Sequence, residues 1–504
     1  MKRTTLLAAL LGILIGALGA ALVQQMAKNR RLAADAAAWQ KLNLALSTID
    51  SHYVDTLNFN HLTDVALTAV LQALDPHSLY MLPKQLEAAD GDLAGDFEGI
   101  GIQFNVPADT AVIIEVIPGG PSEKIGLQPG DRLLKVDDKV IAGVKCPQDS
   151  MVRLMRGPAG TKVTVTVKRE REQIPFEITR GKIPMHSVDA AFMVSDTVAY
   201  VRVSKFSRTT AKEFLEALQR LKGEGMRRLI MDLRDNSGGF MDQALVMADF
   251  FLKKDQRIVY MEGRHYPRQE YRASGRGLFQ DLPVELLINE YSASSSEIFT
   301  GALQDNGRAT VYGRRSFGKG LVQEPVYFSD GSGIRLTVAR YYTPLGRCLQ
   351  KPYDSYDDDL YHRYMDGELL DADSVKRERG GIVPDVFVPM DTTRATAFYT
   401  ACTRKATAMR FASAYFDGHK AELMAIDNFD VLQRYLDRAG LDWRFLEFAR
   451  SKDGLVPEEG EWRKSSSYML TQIRALVGRY SKLGDDAFYH IWLDTDDTFH
   501  CAMN

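Results

Sequence analysis

Leu286-Leu287-Ile288-Asn289-Glu290-Tyr291-Ser292-Ala293-Ser294-Ser295-Ser296-Glu297-Ile298-Phe299 passes from a short apolar run, through a polar turn, into a helix start. An apolar run of strand length followed by a capped helix is the unit from which α/β folds are built. Ser294 and Glu297 fit the capping box S-x-x-E, in which the serine oxygen accepts a backbone N–H bond. A hydroxyl used in that way is not a nucleophile, so the local pattern leaves open whether one of these serines is reactive.

The same strand–turn–helix rhythm recurs on both sides. Val198–Val203 is expected as a strand, 211–222 as a helix, and Leu229–Leu233 as a short apolar strand. Asp235-Asn236-Ser237-Gly238-Gly239 follows, then a helix over 243–251. Gly307 stands where a helix ending near Asn306 needs a left-handed residue. Residues 183 to 400 therefore read as α/β with at least partly parallel pairing.

Residues 97 to 180 have a different texture, with short strands and Gly/Pro turns. The order is Gly99-Ile100-Gly101-Ile102, an alternating strand over 112–117, a short helix at 122–125 and the turn Pro129-Gly130-Asp131. A hairpin at Asp137-Asp138, a helix over 148–155 and a period-two strand over 162–168 complete it. The flanking regions read as helical, at 32–53 and 62–74 on one side and at 423–439 and 466–483 on the other.

At 504 residues the chain has room for about three or four domains. A net charge of −3 with dispersed Lys and Arg argues against nucleic acid as a partner. The four cysteines show no C-x-x-C spacing and the nine histidines no H-E-x-x-H, so no metal site is expected. Lys2-Arg3 precede an uncharged run from Thr4 to Ala27, close to the roughly 20 residues that cross a bilayer. It reads as an N-terminal anchor with the remainder exported, or as a signal segment cut near Gly19-Ala20-Ala21.

Gly313-Arg314-Arg315-Ser316-Phe317-Gly318-Lys319-Gly320 nearly matches a phosphate-binding loop. Gly320 replaces the required hydroxyl, and a strand with Pro325 follows instead of a helix, so that reading fails. Ser316 and Lys319 also spell S-x-x-K, but the flanking glycines disfavour the helical turn that pairing needs. In an extended segment, Lys319, Leu321 and Gln323 would share one face.

Residues 97 to 180 resemble a PDZ domain, most specifically in Gly-x-Leu-x-Pro-Gly-Asp-x-Leu from Gly126 to Leu133. The resemblance implies that an added peptide strand has its terminal carboxylate held by a loop, here Gly99, Ile100, Gly101 and Ile102. Residues 75 to 390 together resemble the C-terminal (tail-specific) processing proteases, serine–lysine peptidases of the S41 type. The motifs that carry this are Asp75-Pro76-His77-Ser78, the run from Asp232 to Gly239, Ser292 to Gly307, Phe317 to Gln323, Leu336 to Pro344 and Gly380 to Asp385.

That resemblance implies Ser294 as nucleophile, Lys319 as general base 25 residues later, and Gln323 as its supporting group. The N–H of Ser295 and one from the Gly238-Gly239 turn would form the oxyanion hole, and Asp305 would support the site. With a nucleophilic Ser294, its oxygen is expected to face Lys319, leaving Ser292, Ser296 or Glu297 to satisfy the helix start.

The resulting expectation is an α+β / α/β multidomain chain. Its parts are an anchor or signal segment (1–31), a helical N-terminal region (32–94), a PDZ domain (95–181), a protease core (182–400) and a helical C-terminal extension (401–504). The function implied is a cell-envelope endopeptidase on the periplasmic side that needs no cofactor and cuts proteins near their free C-termini. The terminal helical regions are compatible with a homo-oligomer. The contrasting expectation is a non-catalytic PDZ scaffold or chaperone that binds protein C-termini.

Overall fold

β-Branched and aliphatic runs form the centre of the molecule because only strands buried on both faces can hide such residues continuously. The computed structural model describes residues 39–86, 96–107, 109–117, 119–184, 186–353, 359–372 and 380–504. The Thr4–Ala27 run lies outside these. Among the described residues no helix is long and apolar enough to cross a membrane.

The chain divides into two units, one ending at Val70 and the other starting at Leu71. In the first, a helix over 39–52 is followed by Phe59–Gln72, whose last two residues fall beyond the division. Trp39, Leu44 and Ile49 are exposed on the first helix.

In the second unit, a six-stranded sheet has the order Val188–Met193, Val198–Val203, Arg228–Asp232, Val284–Ile288, Ala309–Gly313, Val386–Phe387. The first pair is antiparallel and every later pair parallel. Helices Thr210–Gly223, Met241–Asp249 and Ser295–Asp305 supply the crossovers that parallel pairing requires. Phe214, Phe251 and Phe299 fill the core between helices and sheet.

Helix Ser295–Asp305 is buried from Ser295 through Leu303. Its small residues allow this, since a Cβ on Gly301 would stand 3.0 Å from both Ile382 and Thr343. A second, antiparallel sheet holds Leu79–Met81, Arg257–Glu262, Gln269–Arg272, Leu321–Tyr327 and Gly333–Tyr342.

The Gly/Pro-rich region forms its own antiparallel sheet in the order Ile102–Asn105, Ala111–Val116, Arg132–Val136, Lys162–Arg169, Glu172–Thr179. Helix Gln148–Met155 packs on it through Met151 and Met155. Lys162–Arg169 alternates in burial as its sequence predicts. Ala111–Val116 does not, because its first four residues are all buried. One sequence feature was also misjudged in the C-terminal region. The helix expected over 423–439 is broken, since Thr407–Ala425 ends before Asn428 caps Phe429–Arg438 with its side chain. The one expected over 466–483 runs Glu461–Gly478.

Candidate active site

Two adjacent parallel strands, Arg228–Asp232 and Val284–Ile288, deliver their C-terminal turns side by side. This is where open α/β sheets place ligands. The turns are stitched together: Ala293 N–H donates to Asn236 O at 2.9 Å, and Asp235 N–H donates to Asn289 Oδ1 at 2.9 Å.

The serine cluster is resolved by its hydrogen bonds. Ser292 Oγ donates to Leu233 O at 2.8 Å, Ser295 Oγ to Gly239 O at 2.8 Å, and Ser296 Oγ to Asn236 O at 2.9 Å. All three side chains are buried, whereas Ser294 is only half-buried. Ser294 has φ 55° and ψ −113°, outside the regions open to a residue with a Cβ. A strained residue between strand and helix is the device that lifts a nucleophilic hydroxyl clear of the backbone. The capping box that the sequence suggests is present, with the Ser294 side chain turned to the Glu297 N–H, but its oxygen makes no cap hydrogen bond of ordinary geometry. The helix start is instead closed by Glu297, whose Oε2 accepts the Ser294 N–H at 2.9 Å.

Glu297 is the residue whose importance the capping pattern concealed. Oε2 also accepts the Lys319 N–H at 2.8 Å, so the amides of Ser294 and Lys319 converge on one oxygen. Oε1 accepts the Gly318 N–H at 2.7 Å and the Ser316 hydroxyl. Ser316 Oγ in turn accepts from Ile382 N–H, so its own proton points at the carboxylate. Ser316 thus serves as a brace for the lysine loop. Burial pushes the Glu297 pKa up, and these four donors oppose that shift by stabilising the anion.

Lys319 is half-buried and its pKa is lowered, chiefly by desolvation and then by the Arg335 cation, with Glu297 opposing. Gln323 lies on the strand that follows Lys319. The strand starts at Leu321, and where Val322 and Gln323 meet Ala339 and Thr337 the extra residue, Val338, lies in the partner strand Gly333–Tyr342. Gln323 Nε2 donates to the carbonyl of His77, 2.6 Å away.

The Asp75–Ser78 turn therefore borders the site. Asp75 Oδ1 accepts from the N–H groups of His77 and Ser78, both at 2.8 Å. Burial, Lys319 and Lys351 push the His77 pKa down to about 4 against the pull of Asp75. Sequence reasoning quoted this turn but gave it no role; its signal was the D-P-H-S motif itself.

The glycine turn lies against the serine. A Cβ on Gly238 would stand 2.7 Å from Ser294 Cβ and 2.9 Å from Ser295 N, at a φ of 99° that favours glycine. Gly238 N–H donates to Asn236 Oδ1 at 2.9 Å, so its hydrogen is engaged within the turn. Asp305 lies at the far end of the helix, where its carboxylate accepts from Leu345 N–H at 2.9 Å and pairs with Arg347.

In the antiparallel β-unit, Gly99 pairs with Gly181, and Ile102 begins the edge strand. Ile100 O accepts from both the N–H and hydroxyl of Ser122, and Gly101 O accepts from Ile117 N–H. In trans peptides these contacts turn the following N–H groups of Gly101 and Ile102 the opposite way.

A strained serine beside a half-buried lysine on an α/β sheet, joined to a small peptide-binding type of β-unit, defines a serine-hydrolase core with an accessory recognition module. Residues 197–357 match peptidase family S41 and residues 112–169 match the PDZ domain. A protein described as "Probable CtpA-like serine protease" from Staphylococcus haemolyticus (strain JCSC1435) is 36% identical over 309 residues, covering 61% of this chain and 62% of that relative. Another of the same description, from Staphylococcus aureus (strain MRSA252), is 32% identical over 356 residues, covering 69% of this chain and 71% of the relative. The solved photosystem II D1 C-terminal processing protease aligns at 25% identity with a TM-score of 0.41, covering 69% of this chain and 86% of that one. The chain belongs to the CtpA-like serine proteases of peptidase family S41, with a PDZ domain.

Proposed function

We infer that this chain is a serine endopeptidase that recognises free C-termini of protein substrates through its PDZ domain and cuts near them. The observation that carries this is the Glu297 clamp, which joins the one half-buried serine of the cluster to the lysine loop. Ser294 Oγ attacks a peptide carbonyl while neutral Lys319 takes the hydroxyl proton. The tetrahedral oxyanion is met by the N–H of Ser295 at the helix start and by that of Gly239, since Gly238 is engaged with Asn236. Lys319 then returns the proton to the leaving amine, and water hydrolyses the acyl-enzyme by the reverse sequence. Gln323 and Asp305 act at one remove, the first through the His77 turn and the second by holding the turn that contains Leu345 and Arg347.

The layout 32–94, 95–181, 182–400 and 401–504, after a segment 1–31, is proposed as the functional division. A cell-envelope location follows from Lys2-Arg3 and the uncharged run to Ala27, which acts as anchor or cleaved signal. The deciding experiment incubates unfolded proteins with the wild-type chain and with Ser294→Ala, and reads the products by mass spectrometry. New C-terminal fragments from the wild type alone are expected. Binding of C-termini without any cleavage would instead mean a scaffold.

A further inference from the structure

The PDZ strand Ala111–Val116 is buried where a one-faced sheet would be exposed, and the cover comes from the C-terminal helices. Ala111 and Ile113 face the PDZ core, whereas Ile114 belongs to the apolar cluster of those helices. The Pro129-Gly130-Asp131 turn sits on the ring of Phe416, with a built Gly130 Cβ only 2.8 Å from it. Phe416 is itself stacked on Tyr480 at 4.2 Å. Arg132 pairs with Asp417, and Arg479 donates to Gln103 Oε1 at 3.4 Å on the PDZ edge strand.

The same helical region grips the catalytic sheet at its other end. Asp496 pairs with Arg234, which also pairs with Asp232 in the turn leading to Gly238-Gly239. Phe499 packs against Tyr200, and Arg228 donates to Met503 O at 2.8 Å. We propose that the helices from Ala397 to Met503 form a dock that holds the PDZ domain at a set position against the catalytic sheet, so that a bound C-terminus reaches Ser294 from one direction. The seam has an apolar centre, Ile114 and Phe416, and a polar rim, the arrangement of a specific protein interface. The matched S41 and PDZ segments both end before these helices, and the dock gives the helices a role.

The test is hydrogen exchange by mass spectrometry on the full chain carrying Ser294→Ala, so that its outcome does not depend on the peptidase reading. Ile114→Lys is expected to raise exchange in 111–116, 129–133 and 407–425 while leaving strand Val284–Ile288 unchanged. Ile114 faces away from the PDZ core, so that core should stay protected. Arg132→Glu should loosen the same seam more mildly, and Arg132→Glu with Asp417→Arg should restore it. In the active chain, Ile114→Lys should slow cleavage of a protein bearing a free C-terminal tag by roughly tenfold, through lost effective concentration, and leave an untagged short peptide unaffected. Unchanged seam exchange in both single variants, or a double variant no tighter than Arg132→Glu, would overturn the dock. If neither substrate is cut by any active variant, the peptidase reading fails, while the exchange result still judges the dock.

Discussion

At the scale of single residues, Glu297 joins the main chain of Ser294 to that of Lys319, the proposed nucleophile and base, through one carboxylate oxygen. Its four donors leave both oxygens fully used, so Glu297→Gln must place an amide group against N–H donors. That variant should lose about 1–3 kcal/mol of stability in urea unfolding, the usual cost of leaving buried polar groups unsatisfied. It should also cut more slowly, at least about tenfold, because a small displacement of reacting groups is expensive. Ser294→Ala and Lys319→Ala should each abolish cleavage without changing the melting curve; residual full activity in either would remove it from the mechanism.

Charge sets the pH profile at the same scale. Lys319 must be neutral to accept a proton, so the rate should climb with pH toward a midpoint below the free-lysine value of about 10.4. Arg335 disfavours the lysinium, so Arg335→Gln should shift that midpoint upward in a rate–pH measurement, and an unmoved midpoint would count against the assignment.

At the scale of elements, the glycine turn and the nucleophile turn work only if pressed together. Gly238→Ala adds a Cβ to a left-handed position already occupied by Ser294 Cβ and Ala293 O, each 2.7 Å away. The turn has to shift, so kcat should fall by at least about tenfold, as expected when one oxyanion donor is displaced. Circular dichroism should remain that of the parent. Strand and helix placement in the α/β region was legible because apolar runs and caps are local signals. Val198–Val203 falls where its sequence puts it. The bulge at Val338 was not legible, since it arises from how Gly333–Tyr342 pairs with Leu321–Tyr327 and is written in neither strand alone. The break at Ile426 was missed because apolar periodicity continues across it, although Asn428 signals the new cap.

At the scale of the whole molecule, histidine burial makes the fold sensitive to acid. His490 is stacked between Phe192 at 4.4 Å and Phe429 at 3.7 Å, joining the catalytic sheet to the C-terminal helices. Burial holds its pKa down to about 4, from an ordinary 6.5. Between those values the unfolded chain binds a proton that the folded chain refuses, so stability falls as pH drops from 6.5 to 4. The loss amounts to about 3 kcal/mol when complete. Urea midpoints measured at pH 7 and at pH 4.5 should diverge less in His490→Leu than in the parent. The four-residue burial of Ala111–Ile114 belongs to this scale too, because a strand expected to alternate is covered on its second face by helices some 300 residues away in sequence.

The sequence by itself determined the α/β class and the PDZ-type unit, because those rest on local periodicity and turn chemistry, and its family motifs carried the proposal that Ser294 works with Lys319. Tertiary structure alone decided which serines spend their hydroxyl protons on main-chain carbonyls. Ser292, Ser295 and Ser296 bond to Leu233, Gly239 and Asn236, carbonyls contributed by a different strand–turn segment. It also gave Glu297, still the helix cap, a second role as the clamp that ties the helix start to the lysine loop. A carboxylate's partners depend on what the fold brings within about 3 Å, and the lysine loop enters that shell only when strand Ala309–Gly313 pairs beside Val284–Ile288.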